Sequence, residues 1–141
     1  MISRALHPNI RWNWLSPGAR HTIHAPDKFR AIVDREKACA DRHHHVFSLV
    51  TLSVNGRAHG KALIEMAVQR LRLTDIIGHL DAQRIGILLP HTPLSGAQSL
   101  ANDICTALES LALRSDCDVS VYPPDESAVS SRDKLMQRER Q

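Results

Sequence analysis

Two short apolar runs lie near the middle of the chain, and a polar segment separates them. The runs are Ile76–Leu80 and Ile85–Leu89, and the segment between them is Asp81–Arg84. β-Branched residues on both sides of turn-forming residues are typical of a β-hairpin, and Pro90 ends the second run because proline has no N–H group to donate. The second run is apolar throughout and too short for a stable helix. It therefore favours a strand that is buried on both faces.

Three other segments place apolar residues at the spacing of one helix face. The first begins at Pro26, where proline is tolerated because the first N–H groups of a helix have no partner within it. The second extends from about Gly60 to Leu73, and the third from about Ser95 to Leu113. We predict amphipathic helices for all three segments.

Two further segments have the character of strands. Val46–Val54 alternates between two faces, and Val119–Tyr122 is rich in valine and ends at consecutive prolines. The predicted order is a helix followed by β-α-β-β-α-β, which is the ferredoxin-like split βαβ arrangement with an additional N-terminal helix. We therefore predict an α+β fold in which right-handed crossovers place the two later helices on one face of an antiparallel sheet.

The chain divides into a central domain and two flanking segments. Residues 1–25 include Trp12 and Trp14 but show no helical or strand periodicity, so we interpret them as an arm or a linker. The tryptophans either anchor a partner or cover an edge of the domain itself, and we favour the second interpretation. Residues 26–123 form the predicted domain, and residues 124–141 form a polar tail.

Composition and charge narrow the possible functions. Hydrophobic residues make up 43% and charged residues 23% of the chain, which is ordinary for a soluble globular protein. The net charge of +3 comes from scattered lysines and arginines, and aromatic residues are only 4%, so the clustered footprint of a nucleic-acid-binding protein is missing. No apolar run approaches the ~18 residues of a membrane span, and no secretory signal is evident. The three cysteines form no Cys-x-x-Cys pair, which fits reduced thiols in a cytoplasm.

The run His43–His45 is a candidate metal site because histidine is a common metal ligand. Consecutive residues of a helix or strand cannot all point at one ion, however, and no acid or thiol follows at the spacing of a zinc site. We therefore interpret the run as the loop between the first helix and the first strand.

The stretch Arg72–Thr92 resembles the signature region of GGDEF domains, the diguanylate cyclase family. Arg72 and Asp75 match the family's R-x-x-D element, and Leu88–Thr92 matches the Leu-Pro-x-Thr-like ending of its hairpin. The resemblance covers residues 27–123 and implies the nucleotide-cyclase-like fold of that family. The hairpin tip departs from the pattern, because the positions of Gly-Gly-Asp/Glu-Glu-Phe carry Asp81, Ala82, Gln83, Arg84 and Ile85.

This departure bears on catalysis. In the family, carboxylates at the end of the first strand and at the hairpin tip hold divalent metal ions, whereas the corresponding positions here carry Ser53, Asn55, Gln83 and Arg84. Hard cations such as Mg²⁺ require oxygen ligands, and Arg84 adds a positive charge instead. The family's guanine-holding segment is reduced to Arg57–His59, and we expect Asp81 to be a turn residue. The resemblance thus implies a scaffold that has lost cyclase activity and carries no metal or other cofactor.

The R-x-x-D element has two interpretations. In active relatives it forms an inhibitory site for cyclic di-GMP, and by that resemblance Arg72 would donate to phosphate and guanine edges while Asp75 accepts from guanine. An arginine that ends a helix and an aspartate that starts a strand can equally form a local ion pair or cap. Both interpretations stay open at this point.

These patterns support three functional hypotheses. The first is a catalytically inactive GGDEF-like regulatory domain, with cyclic di-GMP as a candidate ligand of the R-x-x-D element. The alternative is a structural or dimerisation module of a larger signalling or exopolysaccharide-synthesis protein, which would bind a protein partner or a second copy through Ile85–Leu89 or the terminal helices. The third is an enzyme of another class that uses His79, His91 or Asp81 as acid-base groups. We rank it last because neither histidine has an evident nucleophile or orienting partner.

Overall fold

The computed structural model describes residues 21–124, which form three helices and five strands. The helices are α1 (Pro26–His43), α2 (Arg57–Val68) and α3 (Leu94–Glu109), and the strands are β1 (Ile23–His24), β2 (Phe47–Ser53), β3 (Ile76–Asp81), β4 (Arg84–Pro90) and β5 (Cys117–Tyr122). The predicted order of a helix followed by β-α-β-β-α-β is confirmed from α1 to β5. The predictions for the two tryptophans and for residues 125–141 lie outside the described residues.

The strands form one sheet in the order β1-β3-β4-β2-β5. β3 and β4 pair as the predicted hairpin, β2 lies antiparallel to both β4 and β5, and β1 lies parallel to β3. β4 is therefore central, and Ile85–Leu89 is buried on both faces, as predicted. Because this run lies inside the domain, the expectation that it forms a surface for a partner or a second copy is wrong. Pairing through the terminal helices stays a prediction.

Alternate residues of the central strand face two separate apolar clusters, as the two-residue period of a strand requires. On one face, α2 and α3 pack against Ile85, Ile87 and Leu89. On the other face, α1 packs Phe29 against Leu88. The two crossover helices thus share one face, as predicted, and the additional N-terminal helix covers the opposite one.

The docking of α1 depends on a pair of glycines. Gly78 of β3 and Gly86 of β4 are directly opposite each other in the ladder, and the fully buried Phe29 ring lies against both. A Cβ atom at Gly78 would lie 2.6 Å from Phe29 Cδ1, and one at Gly86 would lie 2.7 Å from Phe29 Cε2. The absent side chains leave a notch for the ring, and burying a phenylalanine there contributes about 1.5–3 kcal/mol.

Strand β1 differs from the sequence prediction. It lies in the segment 1–25, for which no regular structure is predicted, and Ile23 pairs with Ile77 of β3. A strand of two residues has no periodicity to detect, and only the tertiary pairing with β3 defines it.

The ends of two helices also differ from the prediction. Helix α2 ends at Val68 rather than near Leu73, and α3 ends at Glu109 rather than near Leu113. Leu71 and Leu113 pack against the core from the turns that follow the helices. The helical spacing of apolar residues therefore continues beyond each helix. For this reason the sequence predicts helix ends that lie too far along the chain.

The histidine run forms the predicted connection from α1 to β2. His43 ends α1, and His44 takes the left-handed conformation at a φ of 56° as the C-cap. The His45 ring centroid lies 4.1 Å from that of His91, and His45 Nε2 is 2.9 Å from Glu36 Oε1. Among residues 21–124, no three or more His, Cys, Asp or Glu side chains are placed to hold a metal ion.

Candidate functional site

Within residues 21–124, a concave surface borders each end of the β3–β4 hairpin. The first lies beside Arg72, where β3 begins and β4 ends, and the second lies beside the tip at Asp81–Arg84. The six residues of β3 separate them by about 20 Å. The R-x-x-D residues and the positions compared with the family's signature therefore belong to two different sites.

Arg72 and Asp75 are directly paired. The Asp75 carboxylate accepts the Arg72 backbone N–H at 2.8 Å, and the guanidinium donates to it from Nε at 3.5 Å and from Nη2 at 3.4 Å. The Asp75 side chain is 3% exposed, whereas the Arg72 side chain is 60% exposed. The carboxylate thus caps the turn before β3 and holds the guanidinium, so the local ion pair, which was one of the two interpretations, is present.

Thr92 is a second anchor for the guanidinium, and no sequence pattern predicts it. Arg72 Nη2 donates to Thr92 Oγ1 and, at 3.5 Å, to the Pro90 carbonyl oxygen. Thr92 is itself fixed, because Ser48 Oγ donates to its carbonyl oxygen at 2.7 Å. The predicted hairpin could have indicated this contact. In an antiparallel pair, the residues just before the first strand lie beside those just after the second strand.

A groove of about 340 Å³ opens beside Arg72; we call it the Arg72 groove. Its lining comprises Arg70, Arg72, Asp75, Leu89, His91, Thr92, Pro93, Gly96 and Leu100. Arg70 is exposed, and its Nη1 donates to the Met66 carbonyl oxygen at 2.8 Å. Two guanidinium groups and an imidazole beside an apolar wall suit an anion that carries a planar ring, such as a nucleotide phosphodiester.

At the hairpin tip, Asp81 and Arg84 form an ion pair at 2.8 Å between Oδ2 and Nε. Asp81 Oδ1 also accepts the Gln83 backbone N–H at 2.8 Å. That N–H group, followed by the Arg84 guanidinium, lowers the pKa of Asp81 below its ordinary value of 3.8. Asp81 is therefore the turn residue that the sequence predicts. Ala82 and Gln83 form the turn itself, and Ile85 is fully buried.

Ser53 and Asn55 stand where the resemblance places the family's strand-end acids, and both form hydrogen bonds that fix nearby loops. Ser53 Oγ accepts the Asp116 backbone N–H at 2.8 Å, and Ser115 Oγ donates to the Ser53 carbonyl oxygen at 2.7 Å. The Asn55 backbone N–H donates to His59 Nδ1 at 3.1 Å. These contacts connect the loop after β2 with the loop after α3.

His59 completes that connection, and its role is not predicted by the sequence. Because its Nδ1 accepts from Asn55, its Nε2 carries the hydrogen and donates to the Arg114 carbonyl oxygen at 2.7 Å. The residue is 7% exposed. Both ring nitrogens are thus used in fixing the two loops.

The residues at the tip and at the end of β2 do not fit a divalent-metal site. Mg²⁺ needs near-octahedral oxygen coordination, with carboxylates supplying the charge. The Ser53 hydroxyl is already bonded to the following loops, and Asp81 is bonded to its own turn. Arg84 adds a positive charge at the same place. The donor set that the fold family uses for metal is therefore missing from these positions.

The second concave surface, which we call the tip basin, lies between the start of α2 and the hairpin tip. It has a volume of about 640 Å³ and is lined by Val54, Gly56, Arg57, Gly60, Lys61, Ile64, Glu65, His79, Ala82 and Ile85. The resemblance points to this region through Arg57, Ala82 and Ile85, but the sequence does not reveal a cavity, because its walls come from three elements that meet only in the folded chain.

The two histidines of the third functional hypothesis lie in different sites. His79 lines the tip basin, and His91 lines the Arg72 groove. The His91 ring lies tilted against the His45 ring, but within the described part of the chain neither His79 nor His91 is hydrogen-bonded to an acid or to a hydroxyl nucleophile. The hypothesis of an enzyme of another class gains no geometric support.

The fold is similar to solved structures of diguanylate cyclases and GGDEF domains. A DGC protein from Thermotoga maritima matches with a TM-score of 0.68 at 13% identity, over 82% of this chain and 96% of that chain. The GGDEF domain of YfiN from Pseudomonas aeruginosa has a TM-score of 0.58 at 18% identity, over 72% and 78%. PelD from Pseudomonas aeruginosa PAO1, in complex with c-di-GMP, has a TM-score of 0.54 at 15% identity, over 74% and 42%. No protein-family model matches the chain, and no curated protein matches it in sequence.

These likenesses establish the fold. The chain has the α+β architecture of GGDEF domains, as the resemblance implies, with a different sequence at the hairpin tip. Among residues 21–124, none of the helices has the length and apolar character needed to cross a membrane.

Proposed function

We propose that this chain is a catalytically silent signalling domain with the GGDEF fold, and that it binds cyclic di-GMP in the Arg72 groove. The observation that carries the proposal is the Arg72 guanidinium, which is 60% exposed yet anchored by Asp75 and Thr92. A cation that is already positioned loses little conformational freedom when an anion binds, which favours affinity. PelD provides support, because 42% of its chain has a similar fold and it is solved in complex with c-di-GMP.

In this proposal Arg72 contacts the ligand and Asp75 positions Arg72. The guanidinium Nε and Nη2 donate to protein acceptors, whereas Nη1 has no acceptor among residues 21–124. Both oxygens of Asp75 accept from Arg72 and its side chain is only 3% exposed, so in this proposal Asp75 acts through Arg72, whereas the resemblance implies a direct bond from guanine to Asp75. Arg70 and His91 line the same groove and provide further donors for a ligand with two phosphates.

Catalytic silence is argued from charge at the hairpin tip. Nucleotidyl transfer from a triphosphate relies on metal ions to stabilise the developing charge, and those ions need carboxylate ligands. The former ligand positions supply no acid, and the neighbouring Asp81 is paired with Arg84. The domain would therefore respond to a cyclic dinucleotide that another enzyme makes.

Isothermal titration calorimetry with cyclic di-GMP tests the receptor role. We expect saturable binding by the wild-type chain and at least about tenfold weaker binding by Arg72→Ala, because a hydrogen bond to a charged group contributes about 1.5–3 kcal/mol. No heat at high micromolar ligand, or equal affinity of Arg72→Ala and wild type, would remove the proposal.

The chain offers a matched control at the other end of the hairpin. Arg84 also forms an i,i+3 pair with an aspartate, and its side chain is 56% exposed, against 60% for Arg72. Arg84→Ala should bind cyclic di-GMP as tightly as the wild type. A loss equal to that of Arg72→Ala would show that general positive charge, rather than the Arg72 groove, attracts the ligand.

A further inference from the structure

The tip basin has the size and lining of a small-molecule site. Its volume of about 640 Å³ lies within the roughly 300–1,000 Å³ that is typical of ligand pockets. Its accessible apolar lining is the partly buried Val54 and Ile64, and the fully buried Ile85 lies behind them in the core. Gly60 allows α2 to approach the end of β2 at this place, since a Cβ atom there would lie 2.9 Å from Val54 Cγ1. The basin is therefore a formed apolar surface rather than a loose gap between loops.

Two cations lie on one side of the basin. Arg57 and Lys61 are exposed and are four residues apart on α2, so they share one face of the helix. Neither is paired with an acid within the part of the chain that the structure describes. Arg57 is the first residue of α2, where the helix dipole adds to its positive potential, and Lys61 lies one turn further along. Glu65 lies one turn further along, so the positive end of the basin is at the start of α2.

An apolar surface next to unpaired cations is complementary to a molecule with one anionic end. We propose that the tip basin binds a small organic carboxylate, with its carboxylate group at Arg57 and Lys61 and its apolar body against Val54 and Ile64. This site goes beyond the proposed receptor function, because it is at the opposite end of the hairpin from the Arg72 groove.

A nucleoside triphosphate is a poorer fit to the same surface. Its several negative charges would lie close to Glu65 as well as to the two cations. The metal ions that accompany a triphosphate would also find no set of carboxylates at the tip. A monoanion with an apolar body carries a single negative charge and brings no metal ions that need carboxylate ligands.

A titration of the full chain with 4-phenylbutyrate, followed by backbone amide shifts in heteronuclear NMR spectra, tests the proposal. We expect saturable shifts at the start of α2 and at the hairpin tip, and none of comparable size at Arg72 or Thr92. The uncharged 4-phenylbutanamide has the same apolar body and should bind at least about tenfold more weakly, because it cannot form charge-assisted hydrogen bonds with the two cations.

Paired variants separate the role of the two cations from general charge. Arg57→Gln combined with Lys61→Gln should weaken 4-phenylbutyrate binding at least about tenfold and leave binding of the amide unchanged. Lys28→Gln combined with Arg30→Gln is the matched control, because these cations are exposed on α1, across the sheet, and it should bind like the wild type. The spectrum of each variant also shows whether it is folded.

Several results would overturn this proposal. They are an absence of saturable shifts, equal binding of acid and amide, unchanged binding in the Arg57 and Lys61 double variant, shifts centred on the Arg72 groove, or tighter binding of GTP than of 4-phenylbutyrate. None of them bears on cyclic di-GMP binding at Arg72, which is measured separately. The two proposals therefore stand or fall independently.

Discussion

Gly78 and Gly86 face each other across the β3–β4 ladder, and the Phe29 ring occupies the space where their side chains would be. This contact fixes α1 on the face of the sheet opposite the two crossover helices. The middle of the hairpin is thereby held from both faces, while its two ends carry the Arg72 groove and the tip basin. The two candidate sites thus lie at opposite ends of a hairpin whose middle is packed by Phe29.

We expect that adding a single methyl group in the glycine notch destabilises the folded protein. Gly86→Ala should lower the free energy of unfolding by about 1–3 kcal/mol, because the added Cβ would overlap the Phe29 ring. The restriction of the unfolded chain by alanine would offset only about 0.4–1 kcal/mol of this. Urea denaturation of the two proteins measures the difference.

A second substitution checks the cause of that loss. Adding Phe29→Leu to Gly86→Ala should cost less than the sum of the two single substitutions, because the smaller side chain leaves room for the methyl group. Strict additivity of the two effects would contradict the notch.

The two i,i+3 pairs of the hairpin should differ in their contribution to stability. Asp75→Asn should lower the free energy of unfolding by about 1–3 kcal/mol, because the Asp75 carboxylate is buried and accepts both the backbone N–H and the guanidinium of Arg72. Asp81→Asn should have a much smaller effect, because its pair with Arg84 is exposed and screened by water. Equal shifts of the denaturation midpoint from the wild-type value in the two variants would refute the distinction.

Asp81 should titrate below the ordinary value for an aspartate. The Gln83 backbone N–H is the largest cause of its lowered pKa, so Arg84→Gln should raise the pKa of Asp81 only part of the way back towards 3.8. Since the folded-state pKa is the lower one, the stabilisation is present above the unfolded pKa and is lost as pH falls through the folded pKa. Carboxyl carbon NMR shifts across the acid range measure this, and a pKa at or above 3.8 in the wild type would contradict it.

His59 should contribute to stability through its two hydrogen bonds. His59→Ala leaves the Asn55 N–H and the Arg114 carbonyl oxygen without their partner, and it should lower the free energy of unfolding by about 1–3 kcal/mol. His59→Gln retains a donor and an acceptor and should lose less. If both variants are equally destabilised in urea, the packing of the ring rather than its hydrogen bonds is responsible.

The parts of the fold that the sequence predicts are those with a local signal. The hairpin is bounded by a polar turn and by Pro90, and β2 alternates over its whole length. The short strand at Ile23 has no such signal, because it exists only through its pairing with β3. Likewise, Leu71 extends the apparent helix because core contacts from a turn have the same apolar character as contacts from a helix.

In the candidate sites, too, the sequence predicts only the features that have a local signal. The spacing of Arg72 and Asp75 predicts that they interact, and the identity of Arg84 predicts a cation at the tip. Burial of the Asp75 carboxylate depends on how the hairpin packs, so sequence alone does not decide between a ligand contact and a structural pair. The Thr92 anchor and the tip basin arise from residues that come together only through the sheet.

The proposed catalytic silence rests on the hairpin tip, where Arg84 is paired with Asp81 of the same turn and the positions that carry acids in GGDEF domains carry none. Incubation of the purified chain with GTP and Mg²⁺, with the nucleotides separated by chromatography, tests this most directly. We predict that GTP stays unchanged and that no cyclic di-GMP forms at any protein concentration. Accumulation of cyclic di-GMP in proportion to the amount of protein would contradict the account.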